Sequence, residues 1–348
     1  MRVGSARAAA TDWVLQHASR EDGFQGAYFS GSTIGLSDDS ELPAASDIDV
    51  VIVTAQDEPP LKLGKFIYRG TLLEATYLSW KQFASVEEVL TSYHLAGSFR
   101  VDTIIADPTG HLRSLQSEVS RHFADRVWVR RRCDNVRQRI ENGLRTIDIT
   151  APLHDLVTSW LFPTGVTTHV LLVAALRNPT VRLRYLAARK VLMDYGHDGL
   201  YLELLNLLGC AHLTPERVEH HLTELEQTFD AAAAVAQTPF FFSTDITTTT
   251  RSVAIDGSRE LIQAGNHREA VFWIVATFAR CHKILAADAP PELLDAHRPA
   301  FNAIINDLGI TSTDTLLRRA EDVIEFLPRL WDTTEAILLA NPDIAAEQ

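Results

Sequence analysis

Residues Gly26 to Val53 read GAYFSGSTIGLSDDSELPAASDIDVVIV. The run Val50 to Val53 is β-branched and apolar, the pattern of a strand buried on both faces. Yet the strand opens on Asp47-Ile48-Asp49. On a strand, residues two apart share a face and lie about 6.5–7 Å apart along the chain. Asp47 and Asp49 therefore present two carboxylates side by side, while Ile48, Val50 and Ile52 point the other way, into a core. Two such charges ~5 Å apart, at an effective dielectric near 20, repel by about 3 kcal/mol. That is as large as the effect of a typical destabilising mutation, so a neutralising partner is expected. A divalent cation fits, because Mg²⁺ takes a few carboxylate oxygens and keeps its other positions for water and phosphates.

Two further features stand beside this pair. Gly31-Ser32 ends the preceding apolar run. Glycine allows backbone N–H groups to approach a phosphate closely, and serine adds a hydroxyl. Should STIGL begin a short helix, its first N–H groups add to that cradle. Downstream, Glu74 stands in the apolar stretch LLEATYLS, where an acid needs a partner or an aqueous cleft. If its strand neighbours that of Asp47 and Asp49, three carboxylates converge. Two Mg²⁺ ions would overbalance them slightly, which suits an incoming triphosphate and the arithmetic of two-metal phosphoryl transfer.

Outward from this stretch, the chain divides by pattern. Up to about residue 125, short β-like runs (GAYFS, DIDVVIVT, KFIYRG, TLLEATYLSW, VDTIIADP) alternate with short helical segments. KFIYRG and TLLEATYLSW read as a hairpin turning near Gly70. This predicts an α+β domain, residues 1–125, with a mixed sheet flanked by helices. Residues 126–348 read as an all-α helical bundle completing a substrate cleft. Within it, Thr214-Pro215-Glu216 is a helix start and Gly196 a helix end. QTPFFFSTDITTTTRSVAIDG interrupts the helical pattern as a long loop or a short strand pair. Phe240, Phe241, Phe242 and Trp273 are pocket or core residues, with core the default for such side chains.

The 348-residue chain has a formal net charge of −13. That argues against binding to nucleic-acid backbone and is compatible with a cationic small-molecule substrate. Cys133, Cys210 and Cys281 form no Cys-x-x-Cys pair, as expected of a reducing compartment. The N-terminus lacks the apolar core of a signal peptide. VLLVAAL near Val170 is shorter than the ~20 residues of a membrane span. A cytoplasmic location without a membrane partner follows as the expectation. The arginine-rich helix from Arg126 to Arg145 reads as a charged face able to meet phosphate. His154-Asp155 reads as structural, and adjacent His220 and His221 point apart.

Gly-Ser, a spacer, Asp-x-Asp at the head of an apolar strand and an acid on a later strand together resemble the DNA polymerase beta-type nucleotidyltransferase superfamily. The match covers about Gly26 to Leu78. The two-domain layout is most similar to the antibiotic (aminoglycoside or lincosamide) nucleotidyltransferases. The resemblance implies Asp47 and Asp49 as metal ligands and Glu74 as third ligand or general base. It implies Gly31 and Ser32 as the phosphate seat, and Lys190 as the basic residue that the helical domain brings to the nucleotide. The implied reaction moves a nucleoside monophosphate, AMP from ATP or another NTP, to a hydroxyl of an aminoglycoside-like acceptor in the interdomain cleft, with pyrophosphate released, which associates the chain with antibiotic resistance. Toxin-like relatives modifying protein or tRNA, and a non-catalytic nucleotide-binding protein, are the alternatives. The chain departs from the pattern in two ways. Its spacer, Thr33 to Ser46, is long and carries the acidic insert Ser37 to Pro43, and no basic residue follows the Gly-Ser pair.

Overall fold

Phe24–Ser30 forms β1 and Ile48–Thr54 forms β2, paired antiparallel with Ala27 opposite Ile52 and Ser30 opposite Asp49. Gly64–Tyr68 forms β3 and Thr71–Ser79 forms β4, and the short β5 is Ile104–Ala106. The strand order is β3-β4-β2-β1-β5, mixed because β2 and β4 run parallel. The computed structural model describes residues 1–43 and 45–345. Ala44, within the spacer, and residues 346–348, the end of the stretch assigned to the helical domain, lie outside the described residues.

The β3–β4 turn is tight. Arg69 and Gly70 both adopt positive φ, 47° and 76°, as a two-residue type I′ hairpin requires. Such a turn leaves one register, with Tyr68 opposite Thr71 and Lys65 opposite Glu74. In the parallel pair, Asp49 lies opposite Glu74. Lys65, Glu74, Asp49 and Ser30 therefore form one row across four strands.

Helix α1 (Val3–Gln16) covers one face of the sheet. Its Ala6, Ala10, Trp13 and Val14 pack on Ile48, Val50, Ile52, Leu73 and Ala75. The opposite face, with Tyr28, Val51 and Val53, is covered by α2 (Val86–Thr91), α3 (Ala96–Phe99) and α4 (His111–His122), through Val89, Leu90, Phe99, Leu112, Leu115 and Val119. With both faces buried beyond Asp49, β2 has no solvent side there, which accounts for its apolar run Val50 to Val53. The class is α+β, as expected from the alternation of short elements.

The chain folds as two compact units. Of the described residues, the first holds those within 1–132, 240–245 and 342–345, and the second holds 133–239 and 246–341. The division falls inside α5 (Arg126–Arg145). The second unit is helical: α6 (Leu153–Ala174), α7 (Arg184–Asp194), α8 (Asp198–Leu208), α9 (Pro215–Val235), α10 (Gly257–Gln263), α11 (His267–Asp288), α12 (Pro291–Asp307) and α13 (Thr313–Ala340). Thr214 caps α9, accepting from the Arg217 N–H at 3.2 Å, and Pro215 takes the first helical position. Gly196 has φ 73° just beyond α7.

The stretch near Val170, short as an apolar run, belongs to a 22-residue helix, α6. Both α6 and α11 are long and apolar enough to cross a membrane, but 72% of the most apolar window of each is buried inside the protein. They are core helices, apolar all round because they are surrounded. The interrupting segment contains no strand among its described residues. It forms a short 3₁₀ turn at Ser243–Asp245 and a π turn at Ser252–Asp256.

Candidate metal and phosphate site

The row across the sheet places Glu74 beside Asp49, and Asp47, just before β2, joins them. One oxygen from each of Asp47, Asp49 and Glu74 lies within 4.8 Å of the others. Asp47 immediately precedes β2 and projects to the same side as Asp49. Ile48, between them, is fully buried among the α1-facing residues. The alternation expected from the sequence is therefore present.

Gly31 has a purpose that sequence reasoning missed. Its φ is 72°, in the region that disfavours side chains. A Cβ built on it would fall inside the Asp49 carboxylate. Glycine here makes room for an acid, whatever its backbone also offers a phosphate. Ser32 is exposed and opens a single 3₁₀ turn, Ser32–Gly35, too short to align many peptide dipoles. At the far end of that turn, Arg100 Nη2 lies 3.7 Å from where a Gly35 Cβ would stand. A cation thus reaches the turn from elsewhere in the chain, although none follows Gly31-Ser32 in sequence.

Two lysines complete the cluster. Lys65 Nζ contacts both Asp47 Oδ2 and Glu74 Oε2. Lys62 Nζ lies 2.5 Å from Glu74 Oε1. Their side chains are only 10% and 6% exposed, so these are ion pairs with little solvent screening. Asp245 adds a fourth carboxylate, 3.8 Å from Lys62 and 3.7 Å from Lys65. It arrives on the segment Phe240–Asp245, which joins the first unit while its flanks belong to the second. The Thr244 hydroxyl accepts from the Lys65 backbone N–H at 2.9 Å and so covers the edge of β3. Gly64, with φ 74°, leaves space for that threonine. Of the three adjacent phenylalanines, Phe241 is 59% exposed. Its ring centroid lies 4.6 Å from the Lys62 ammonium, in cation–π range. Core packing, the default from sequence, does not describe it. Trp273, in contrast, is buried on α11.

The ion pairs of Lys62 and Lys65 go to Asp47, Glu74 and Asp245 and leave Asp49 out. The titration of the acids reflects this. Burial alone would raise Glu74, but the charges of Lys65 and Lys62 and their hydrogen bonds bring it down to about 2. Burial pushes Asp49 well above the usual carboxylate range, the charges of Asp47 and Glu74 push it further, and the pull of Lys65 and Lys62 does not offset them. Burial also raises Asp47, against the pull of Lys65. Lys65 is held above its ordinary value because Asp47, Glu74 and Asp245 outweigh its burial. With every acid ionised, four carboxylates would face two ammoniums and leave a surplus of two negative charges. That surplus and a hard-oxygen donor set on adjacent strands fit one Mg²⁺ or Mn²⁺.

Lys190 is exposed on α7 in the second unit. Several arginines of α5 have acidic partners: Arg131 with Glu87, Arg137 with Asp134 and Arg145 with Glu141. Arg132 is buried and donates to the Leu90 and Phe123 carbonyls. His221 is bonded to Asp307 at 2.7 Å, and Asp155 pairs with Lys283 at 2.7 Å. The acidic insert is tied to the start of α1, with Asp38 paired to Arg7 and Asp39 to Arg2. No protein-family model matches this chain, and no curated protein matches it.

Proposed function

We propose that this protein is a divalent-cation-dependent nucleotidyltransferase. It would move a nucleoside monophosphate, AMP from ATP, to a hydroxyl of a small cationic acceptor and release pyrophosphate. The observation that carries the reading is the convergence of Asp47, Asp49 and Glu74 within 4.8 Å, beside a glycine turn shaped around Asp49. A fold with no use for a cation would gain by replacing Asp49, a half-buried acid that has an ion pair with neither lysine.

Asp47, Asp49 and Glu74 would hold the metal. When bound, it would polarise the phosphate oxygens and lower the pKa of the attacking hydroxyl. The chain's own residues orient and exclude. The Gly31–Gly35 turn presents backbone N–H groups to the phosphates, and Arg100 adds a charge at its end. Lys62 and Lys65 balance the acids, so one divalent ion neutralises the cluster and a second would leave a positive surplus for the triphosphate. Glu74, with its pKa held low, serves as a ligand rather than as a proton acceptor. This favours the ligand role over the general-base role. The net charge of −13 favours a polycationic acceptor.

The test incubates purified protein with Mg²⁺, each of the four NTPs and a panel of hydroxylated polyamines and aminoglycosides, and measures pyrophosphate. Release that depends on both an NTP and an acceptor, and is lost in Asp47→Asn, supports the reading. Transfer of α-labelled phosphate only to macromolecules in a cell lysate would move the acceptor to protein or RNA. The absence of nucleotide binding and of turnover would refute it.

A further inference from the structure

Lys65 sits where a cation bound by the three carboxylates would have to compete with it. Its ammonium contacts one oxygen of Asp47 and one of Glu74, two of the three converging acids. The backbone sets this placement, since β3 faces Lys65 to Glu74 in hairpin register and Thr244 holds the Lys65 N–H from the other side. The ammonium itself ends a four-carbon stem with rotatable bonds. The main chain is thus fixed and the charge is movable. The neighbouring Lys62 keeps Glu74 paired at 2.5 Å, so Glu74 would not be stranded if Lys65 moved. Asp245, 3.7 Å from Lys65 Nζ, remains within its reach.

We propose that Lys65 is a resident counterion that a divalent cation must displace, and that the displaced ammonium is then handed to the phosphates accompanying that cation. The inference rests on the nucleotidyltransferase reading of the site. It answers a question the sequence raised, which is how a triphosphate is held when no basic residue follows Gly31-Ser32. The exchange involves no covalent step: a dication enters, an ammonium leaves two carboxylates, and it meets phosphate oxygens instead. Bare metal should then bind weakly, because it has to break two charge-assisted hydrogen bonds. Metal and polyphosphate should bind with positive coupling, because each removes the ammonium from the other's path. Coupling of this kind is reciprocal.

The experiment titrates Mn²⁺ into the full chain by electron paramagnetic resonance, with and without inorganic tripolyphosphate, allowing for Mn²⁺–tripolyphosphate complexes in solution. The proteins are wild type, Lys65→Met, Lys65→Arg and Asp49→Asn, each checked for folding by circular dichroism. Lys65→Met removes the competitor, so bare Mn²⁺ should bind about tenfold tighter, a factor worth ~1.4 kcal/mol, while the coupling to tripolyphosphate disappears. Lys65→Arg keeps the charge and adds a planar fork that grips two carboxylates, so bare Mn²⁺ should bind more weakly than to wild type. Opposite shifts from two substitutions of one lysine are not expected of a merely structural residue. Should the Met variant not fold, the Arg variant still decides. Mn²⁺ binding that Asp49→Asn abolishes but neither Lys65 variant alters would overturn the counterion role and leave the nucleotidyltransferase reading standing. Failure of every variant to bind Mn²⁺, with or without tripolyphosphate, would overturn both.

Discussion

At the scale of single residues, the acids of the site are not equivalent, and stability should reveal it. Glu74 receives two ammoniums, and Asp49 receives neither. Asp49, whose pKa is raised in the fold, costs stability at neutral pH. Glu74, whose pKa is lowered, contributes stability that is present above its unfolded value and lost as pH falls toward about 2. Asp49→Asn should therefore leave the protein as stable as before, or up to about 1–2 kcal/mol more stable, while abolishing nucleotidyl transfer. Glu74→Gln should cost about 3 kcal/mol, the low end of the range for breaking a buried pair, because some solvent reaches it. Urea unfolding at pH 7 measures both. A large destabilisation by Asp49→Asn would show that its carboxylate has a partner in the fold and would count against a site held ready for a cation.

The same scale shows what the sequence made legible. Asp47, Asp49 and Glu74 could be read because an acid in an apolar strand is anomalous by itself. Lys65 was within reach too. Counting back from a two-residue turn at Arg69–Gly70 in equal steps brings Lys65 opposite Glu74, but a lysine entering an edge strand raises no alarm. Lys62 and Asp245 could not be found this way. Asp245 reaches the cluster through a segment whose Thr244 bonds Lys65, 179 residues away along the chain. No local pattern encodes a contact of that range. Gly31 was read as serving a phosphate, because its clash with Asp49 exists only once β1 and β2 are paired.

At the scale of elements, the stretches of α9 and of the buried α11 were legible as helices, and that of α6 was not. α9 announced itself by its cap and its period. α6 did not, since burial on all sides erases the 3.6-residue signal. The buried helices also carry buried histidines. Burial and the nearby Arg184 charge hold His169, on α6, down at about 3. Its Nε2 donates to the Thr180 carbonyl at 2.9 Å. Burial holds His282, on α11, at about 4, helped by His154, His297 and Arg298, while a hydrogen bond at the His297 backbone opposes them. Both fold as neutral rings, whereas the unfolded chain protonates them near pH 6.5. In that window the unfolded state binds more protons, so stability should fall as pH drops from about 6.5 to about 4, by up to ~1.4 kcal/mol per pH unit for each ring. Thermal melts across this range, repeated on His169→Gln, should show a shallower slope in the variant. Equal slopes would mean that His169 titrates normally in the folded protein.

At the scale of the whole molecule, the chain folds as two compact units, and one short excursion, Phe240–Asp245, leaves the second to complete the first. The acidic balance of −13 coexists with a site that carries its own cations. From the sequence, the triphosphate is expected to meet the Gly31-Ser32 turn, the metal and Lys190 of the helical domain. The structure adds two lysines, which reduce the cluster to a surplus of two negative charges, matched to one divalent ion. The central claim is that Asp47, Asp49 and Glu74 exist to bind that ion together with a nucleotide. Mn²⁺ binding measured by electron paramagnetic resonance, in the presence of a non-hydrolysable ATP analogue, tests it most directly. The account predicts a protein-bound Mn²⁺ signal that needs the analogue for full strength and is lost in Asp47→Asn and Asp49→Asn, although both variants remain folded. A signal unchanged in both variants, or none in the wild-type protein, would contradict it.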